Sequence, residues 1–421
     1  MLDGLYLAQE EIKQQGLMHT KVSGRYEIVQ ELPKDANTFD EIFNYADAFG
    51  NIRFAYIDDV HKASASALKE QKSASAIGGE IGIKTAEYNG FSFNISAYVS
   101  QSIGFLSPQK EDLNPDFVNL NQDSFAYIAK ASLNYENELF QAKLGRIEVE
   151  TPYANSDDIR MAANTFEGAF AKIDYSANLS SQIMFLNRWA GYDSQDTLSQ
   201  DVFKELYEDS KGVGIASLTY EYARNSELSF WVNHIDNMSQ IAYAEMVGIF
   251  FIDGDAFHLD YGVQGSLIRE LGDSGIEGNV YGLMSIIHYN GAFLGISYNK
   301  AFVDTDKKIT DGFGGGPYYT SLDEATIAAM SEAVPGEDVE AFRIGGGYDL
   351  KQIGSGALNG FMLELVYGKL QSKDKSVNEK DIILSYEIAD KWYVEGIYTK
   401  FDAPYEGKTF DRTLVRANYL F

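Results

Sequence analysis

The chain has 421 residues, no cysteine and a formal net charge of −28. It therefore has no disulfide, thiolate metal site or cysteine nucleophile, and the charge argues against nucleic acid as a partner, which would want a basic face. The longest apolar run, MVGIFFI at 246–252, is far short of the roughly 20 residues of a membrane helix; this excludes helical spans but not barrel strands, which show lipid only every second side chain.

Aromatic residues and glycine are plentiful (28 Tyr, 26 Phe, 38 Gly) and proline is scarce (7), which suits many strands joined by tight turns. Met1 leads into LDGLYLAQEE without a signal peptide, which reads as a mature form with an added methionine. Residues 1–48 form an N-terminal extension, read as a periplasmic tail in preference to a lumen plug or an extra strand pair. Within it, Thr38 and Glu41 have capping-box spacing. The barrel-like region runs over 49–421 and opens with the strand NIRFAYID.

From about residue 50, segments of alternating character recur, joined by connections that are short and long in turn. The long ones are 58–75, 101–122, 147–163, 189–211, 270–278, 303–340, 370–379 and 402–408, with a weaker one at 236–240. Short turns on one rim and long loops on the other are expected of an antiparallel transmembrane β-barrel, here with about 18 strands. The period of two then assigns faces. Ile81 and Ile83 point out, with Glu80 and Lys84 inward; Phe125, Tyr127, Ala129 and Leu133 point out, with Lys130 and Ser132 inward. Ile344, Tyr348 and Leu350 point out, with Arg343 and Asp349 inward; Phe361, Leu363, Leu365 and Tyr367 point out, with Glu364 inward. In the last strand Arg412 and Arg416 share the inner face, because an arginine at the lipid midplane costs about 2–4 kcal/mol.

Two loops are expected to carry helices. SQDVFKELYEDSKG (199–212) is one. The other is EATIAAMSEA, with Ser321 and Glu324 spaced as a capping box and Pro335-Gly336 as its stop. GFGGGP (312–317) resembles a phosphate loop but lacks the following Lys-Ser/Thr and reads as a flexible lid base.

The segment TPYANSDDIRMAANTFEG (151–168) has no hydrophobic period. Its Asp157-Asp158 pair, with Glu148 and Glu150 nearby, does not define catalytic carboxylates, because adjacent loop residues fix no separation across a cleft. No loop reads as an EF-hand, and no metal site is singled out. His234, His258 and His288 accompany no nucleophile signature and read as rim or wall residues. No enzymatic activity and no cofactor are expected.

Four stretches together resemble the OprD family of gram-negative outer-membrane porins, of the epsilon-proteobacterial type. They are SAIGGEIGIKTAEYNGFSFNISAYVSQ, LGRIEVETPYANSDDIRMAANTFEGAF, GGGPYYTSLDEATI and the terminal ANYLF. The resemblance implies an 18-stranded barrel whose third extracellular loop folds inward, and a lumen with a ladder of basic side chains. Arg146 and Arg160 match the motif's arginines, and Thr151, Pro152, Asp158, Phe166 and Gly168 its other marks. Arg160, Asp157, Asp158 and Arg146 are thus the constriction candidates; Arg343, Arg412, Arg416 and Lys130 are the ladder candidates, with Lys84, Glu80, Glu364 and Asp349 also charged and inward. Arg160 either faces the pore or pairs with Asp157 or Asp158 to hold the loop. The sign of ion selectivity stays open, since whole-chain charge and lumen candidates point opposite ways. The implied role is a porin for small hydrophilic solutes, with outer-membrane lipid and lipopolysaccharide as surroundings and a homotrimer by analogy. The alternative is a surface barrel, adhesin or receptor, whose long acidic loops bind a partner or divalent cations.

Overall fold

The computed structural model describes residues 6–7, 28–29, 35–61, 70–104, 112–117, 124–192, 202–350, 359–388 and 391–421. The first strands are β1 (Asp47–His61), β2 (Glu70–Lys84), β3 (Phe91–Ser102), β4 (Phe125–Glu136), β5 (Phe140–Ile147), β6 (Thr165–Ser176), β7 (Leu179–Ala190), β8 (Val213–Ala223) and β9 (Ser226–Ile235). They are followed by β10 (Ser239–Asp253), β11 (Phe257–Glu270), β12 (Gly278–Tyr289), β13 (Ala292–Phe302), β14 (Val339–Asp349), β15 (Phe361–Ser372), β16 (Lys375–Ile388), β17 (Trp392–Ala403) and β18 (Lys408–Leu420). Each pairs antiparallel with its sequence neighbours, and β18 returns to β1 to close the barrel. The seam is sealed by Phe421, whose backbone exchanges hydrogen bonds of 3.0 and 3.1 Å with Gly50. Closure leaves no unpaired sheet edge, a condition for crossing a bilayer with strands.

The outer surface is apolar. Ile77, Ile81, Ile83, Leu144, Ile183, Phe185, Leu283 and Leu365 are all exposed, which suits lipid and would be costly in water. At the short-turn ends of the strands, directly opposed aromatic pairs form a girdle: Phe91–Tyr135, Phe257–Tyr289, Phe361–Tyr386 and Trp392–Tyr419, with ring centroids 4.8 to 6.3 Å apart. The turns on this rim use Asn-Gly where both residues need positive φ, as at Asn290 (48°) and Gly291 (85°).

Several expectations are corrected. The inner residues of β4 are Phe125, Tyr127 and Ala129 as well as Lys130 and Ser132. A β-bulge at Ala129, opposite Ser96 and Ala97, switches the parity of the strand, so that Ile128 (41% exposed) and Leu133 (50%) both face out. The carbonyl of Ile128 accepts instead from the Arg146 guanidinium at 2.8 Å. The connection expected at 370–379 is a two-residue turn, because β15 and β16 pair as far as Ser372 and Lys375. The described part of 199–212, residues 202–212, holds no helix; Lys204–Glu205 adds a short strand beside Arg188–Trp189. Residues 199–201 lie outside the described residues.

The helix in the long 303–338 loop, α2 (Ile327–Ala333), is capped by Thr326, whose hydroxyl accepts from Ala329 N at 3.0 Å, and not by Ser321. Thr326 stands directly before the apolar run, so its hydroxyl reaches the first turn, whereas Glu324 is drawn into an ion-pair network described below. In the N-terminal extension, the six-residue helix α1 (Phe39–Asn44) lies on the short-turn rim, where the Ile42 carbonyl accepts from Ala86 N at 3.1 Å. Glu41 accepts from Asn37 N at 2.7 Å, and Thr38 makes no side-chain cap. Tyr6–Leu7 pairs with Ile28–Val29, and the rest of 1–34 lies outside the described residues.

Candidate functional site

Between β5 and β6 the chain leaves the wall and crosses the lumen. Glu150–Thr151 pairs with Ala154–Asn155 around a Pro152-Tyr153 turn, and the Thr151 hydroxyl bridges Ala154 N (2.9 Å) and O (2.8 Å). Ser156 ties the base by bonding the Val149 backbone through both its hydroxyl (3.0 Å) and its amide (2.9 Å). This local bonding satisfies backbone groups that a strand ladder would otherwise have paired. The tip then reaches the far wall: Tyr153 Oη lies 2.6 Å from Ser266 Oγ on β11.

A second loop, 303–338, also folds inward, which no sequence signal announced. Phe313 N donates to Tyr153 O at 3.0 Å, Asn155 N donates to Phe313 O at 2.9 Å, and Gly315 N donates to Asn155 Oδ1 at 3.0 Å. The glycine-rich stretch is therefore a packed contact and not a flexible lid base. Gly314 sits at φ +111°, and a Cβ there would lie 2.3 Å from Asn155 Oδ1. Further along, Tyr319 Oη donates to Glu245 on β10 at 2.7 Å, and the amides of Glu324 and Ala325 donate to the Glu379 carboxylate on β16 at 3.0 and 2.7 Å.

The constriction candidates take distinct positions. Arg160 is only 1% exposed and does not line the open cavity. Its Nε donates to Asp116 Oδ2 at 2.9 Å, its Nη2 lies 3.3 Å from Glu324 Oε1, and its guanidinium sits 5.1 Å from the Tyr192 ring centroid. Its carboxylate partners Asp116 and Glu324 thus come from other loops, while its Nη1 donates to the Ile159 carbonyl of its own loop at 3.1 Å. Asp158 instead receives both Nη atoms of Arg53, each at 2.6 Å. Asp157 accepts from Asn164 N through its carbonyl at 3.1 Å, and its carboxylate lies beside Gly315. Arg146 stands where β5 leaves the wall, 3.0 Å from Glu167 and with its guanidinium 4.3 Å from the Phe203 ring centroid.

The inward arginines of the wall are buried in ion pairs. Arg412 holds Asp59 at 2.6 Å and contacts Glu324, so that Glu324 bridges Arg412 and Arg160. Arg416 pairs with Glu395 and donates to Asp158 O at 2.9 Å. Arg343 lies 3.9 Å from Glu364 and donates to Tyr319 O at 3.4 Å. Burial alone would push the Asp116 carboxyl up, but the Arg160 and Arg412 guanidiniums beside it hold it below its ordinary value. These arginines fasten loops to wall, which differs from a ladder open to solvent.

The open space is a vestibule of about 760 Å³ reached from the short-turn side. Its lining has eight carboxylates (Asp47, Glu80, Glu136, Glu148, Glu150, Asp158, Glu227, Glu245) and six basic residues (Arg53, Lys84, Lys130, Lys143, Arg146, Lys172). Lys130 bridges Glu80 at 2.6 Å and Glu148 at 3.4 Å, and Lys172 lies 3.0 Å from Asp174. Lys84 stands near the mouth; Asp349 closes β14 at the same rim, its amide donating to Gly291 O at 2.8 Å. Sequence reasoning missed Arg53, Asp59, Asp116, Glu324 and Glu395. Arg53 and Asp59 were readable, since Ile52, Phe54 and Tyr56 mark the outer parity of β1; Asp116 and Glu324 carry no periodic signal.

The family model described as outer membrane porin, OprD family, matches residues 121–389. Among solved structures, OpdK of Pseudomonas aeruginosa superposes with a TM-score of 0.73 at 13% identity, over 89% of this chain and 98% of its own. OccK9 (OpdG) of the same organism gives 0.75 at 14% over 90% and 99%, and a BenF-like porin of Pseudomonas fluorescens Pf-5 gives 0.75 at 13% over 90% and 99%. At such identities these likenesses speak to the fold. No curated protein matches the sequence.

Proposed function

The chain belongs to the OprD family of outer membrane porins, and from that premise we propose that it lets small hydrophilic solutes diffuse passively through a lumen narrowed by two inward loops, with a mild preference for cations. It is a β-barrel of the gram-negative outer membrane. The observation that carries the reading is the vestibule lining, in which eight carboxylates face six basic groups. Arg53 and Lys130 pair with the lining's own Asp158, Glu80 and Glu148, and Arg146 and Lys172 pair with Glu167 and Asp174 outside it. A low-dielectric wall focuses such an excess on passing ions. The charge of the whole chain matters less, since exposed charges are screened within about 8–10 Å.

The test is the reversal potential across a salt gradient in planar bilayers. Wild type should favour the cation, and Glu148→Gln should move the potential towards zero. An anion-selective wild type would refute the preference. A surface receptor is the weaker reading, because the longest loop turns into the barrel instead of outward: Tyr319, Glu324 and Ala325 all bond to wall carboxylates.

A further inference from the structure

On the inner face of β11 and β12, His258 and His288 stand directly opposite each other in register, with Asp260 one step along the same face. The two imidazoles stack with centroids 4.4 Å apart. Asp260 is 2% exposed; its Oδ2 lies 2.9 Å from His288 Nε2, and its Oδ1 lies 3.9 Å from His258 Nε2. That Oδ1 is buried without a hydrogen-bond partner.

We propose that His258, Asp260 and His288 form a binding site for a divalent transition-metal ion on the lumen wall. Three observations converge on it. First, one potential ligand atom from each residue falls within 4.8 Å of the others, the only such trio among the described residues. Ligands about 2.1 Å from one ion stand roughly 3.0–3.4 Å apart; the contacts of 2.9 and 3.9 Å bracket that range, and one of the two imidazoles, now stacked at 13°, turns out of parallel so that both point at the ion. Second, His258 Nδ1 lies 2.9 Å from the Asp255 carbonyl. A carbonyl only accepts, so Nδ1 carries a proton, which in the neutral ring leaves the Nε2 lone pair facing Asp260; such outer bonds orient metal-binding imidazoles. Third, the orphaned Oδ1 of Asp260 gains a partner if a cation binds.

Two imidazoles and one carboxylate suit zinc, nickel or cobalt better than magnesium or calcium, which prefer all-oxygen shells. Three protein ligands leave coordination positions for water, so the site is one of exchangeable binding. It is independent of the conduction reading, because it can be measured without a bilayer.

The experiment titrates zinc chloride into the full chain folded in detergent, against a chromophoric zinc competitor. Wild type is expected to bind one zinc ion per barrel, and His288→Ala should weaken binding by on the order of tenfold or more. Asp260→Asn keeps the side-chain shape and should weaken it likewise, which guards against a misfolded alanine variant. His234→Ala, which alters a histidine outside the trio, should bind as wild type does. Wild-type affinity retained in both site variants overturns the proposal, as does no competition by wild type, or equal competition by calcium.

Discussion

The guanidinium of Arg53, on the first barrel strand, grips the carboxylate of Asp158, on the lumen-crossing loop, through two contacts of 2.6 Å each. Such bidentate pairing fixes direction as well as distance. Arg53 Nη1 also donates to Arg160 O at 2.7 Å, and Arg416 donates to Asp158 O at 2.9 Å, so the loop is held through backbone and side chain together. With Tyr153 anchored on β11 across the lumen, the segment is tied at both sides of the barrel.

Arg160 acts as a fastener in this account. Replacing it by alanine strips Asp116 and Glu324 of a buried cationic partner. Breaking a buried pair from one side costs about 3–5 kcal/mol. The Arg160→Ala barrel should lose its compact gel migration at a lower temperature than wild type, with the reversal potential little changed. A large change in selectivity at unchanged stability would place Arg160 in the ion path instead.

Acid should loosen the same network. Asp116 has its folded value held below the ordinary 3.8 by Arg160 and Arg412, against the opposing effect of burial. A depressed folded value means that its stabilising contribution is complete above the unfolded value and disappears as pH falls through the folded one. The heat-modification temperature should therefore fall below about pH 4. The Asp116→Asn variant should start lower at neutral pH and lose less on acidification; equal acid sensitivity in the two would contradict this.

The contact between the two inward loops rests on Gly314. Alanine there would sit at a φ of +111° and 2.3 Å from Asn155 Oδ1. The strain is of order 1–3 kcal/mol and can be relieved only by moving one loop. Limited proteolysis should cut Gly314→Ala within 303–338 faster than wild type. Identical cleavage rates would show that the contact does not hold the loop.

Absence of cysteine makes the bulge at Ala129 testable. Ile128 and Asn134 have the same parity, yet Ile128 faces out and Asn134 lines the vestibule. In liposomes, a charged water-soluble thiol reagent should label Asn134→Cys and leave Ile128→Cys largely unmodified. Equal labelling would mean that β4 has no parity switch.

The contrast between these residues shows what the sequence makes legible. Period two in RTLVRANYLF separates inner Arg412 and Arg416 from outer Val415 and Ala417, because lipid penalises charge at every second position. The same rule misplaced Phe125, Tyr127 and Ala129, since a single extra residue inverts a strand's faces and no composition cue marks it. That the 148–164 loop leaves the wall followed from its lost periodicity, and its inward fold from the family likeness. The partners of that loop did not: Arg53 lies 105 residues from Asp158, and Glu324 lies 164 from Arg160. Contacts closed by barrel topology leave no local trace.

On this reading the Arg53–Asp158 clamp sets the width of the channel. Single-channel conductance in planar bilayers, comparing wild type with the Arg53→Ala/Asp158→Ala double variant, tests it most directly. Discrete steps are expected for wild type and larger steps for the double variant, whose loop has lost its hold on the first strand. Steps of equal size in the two proteins, or no steps from wild type, would contradict it.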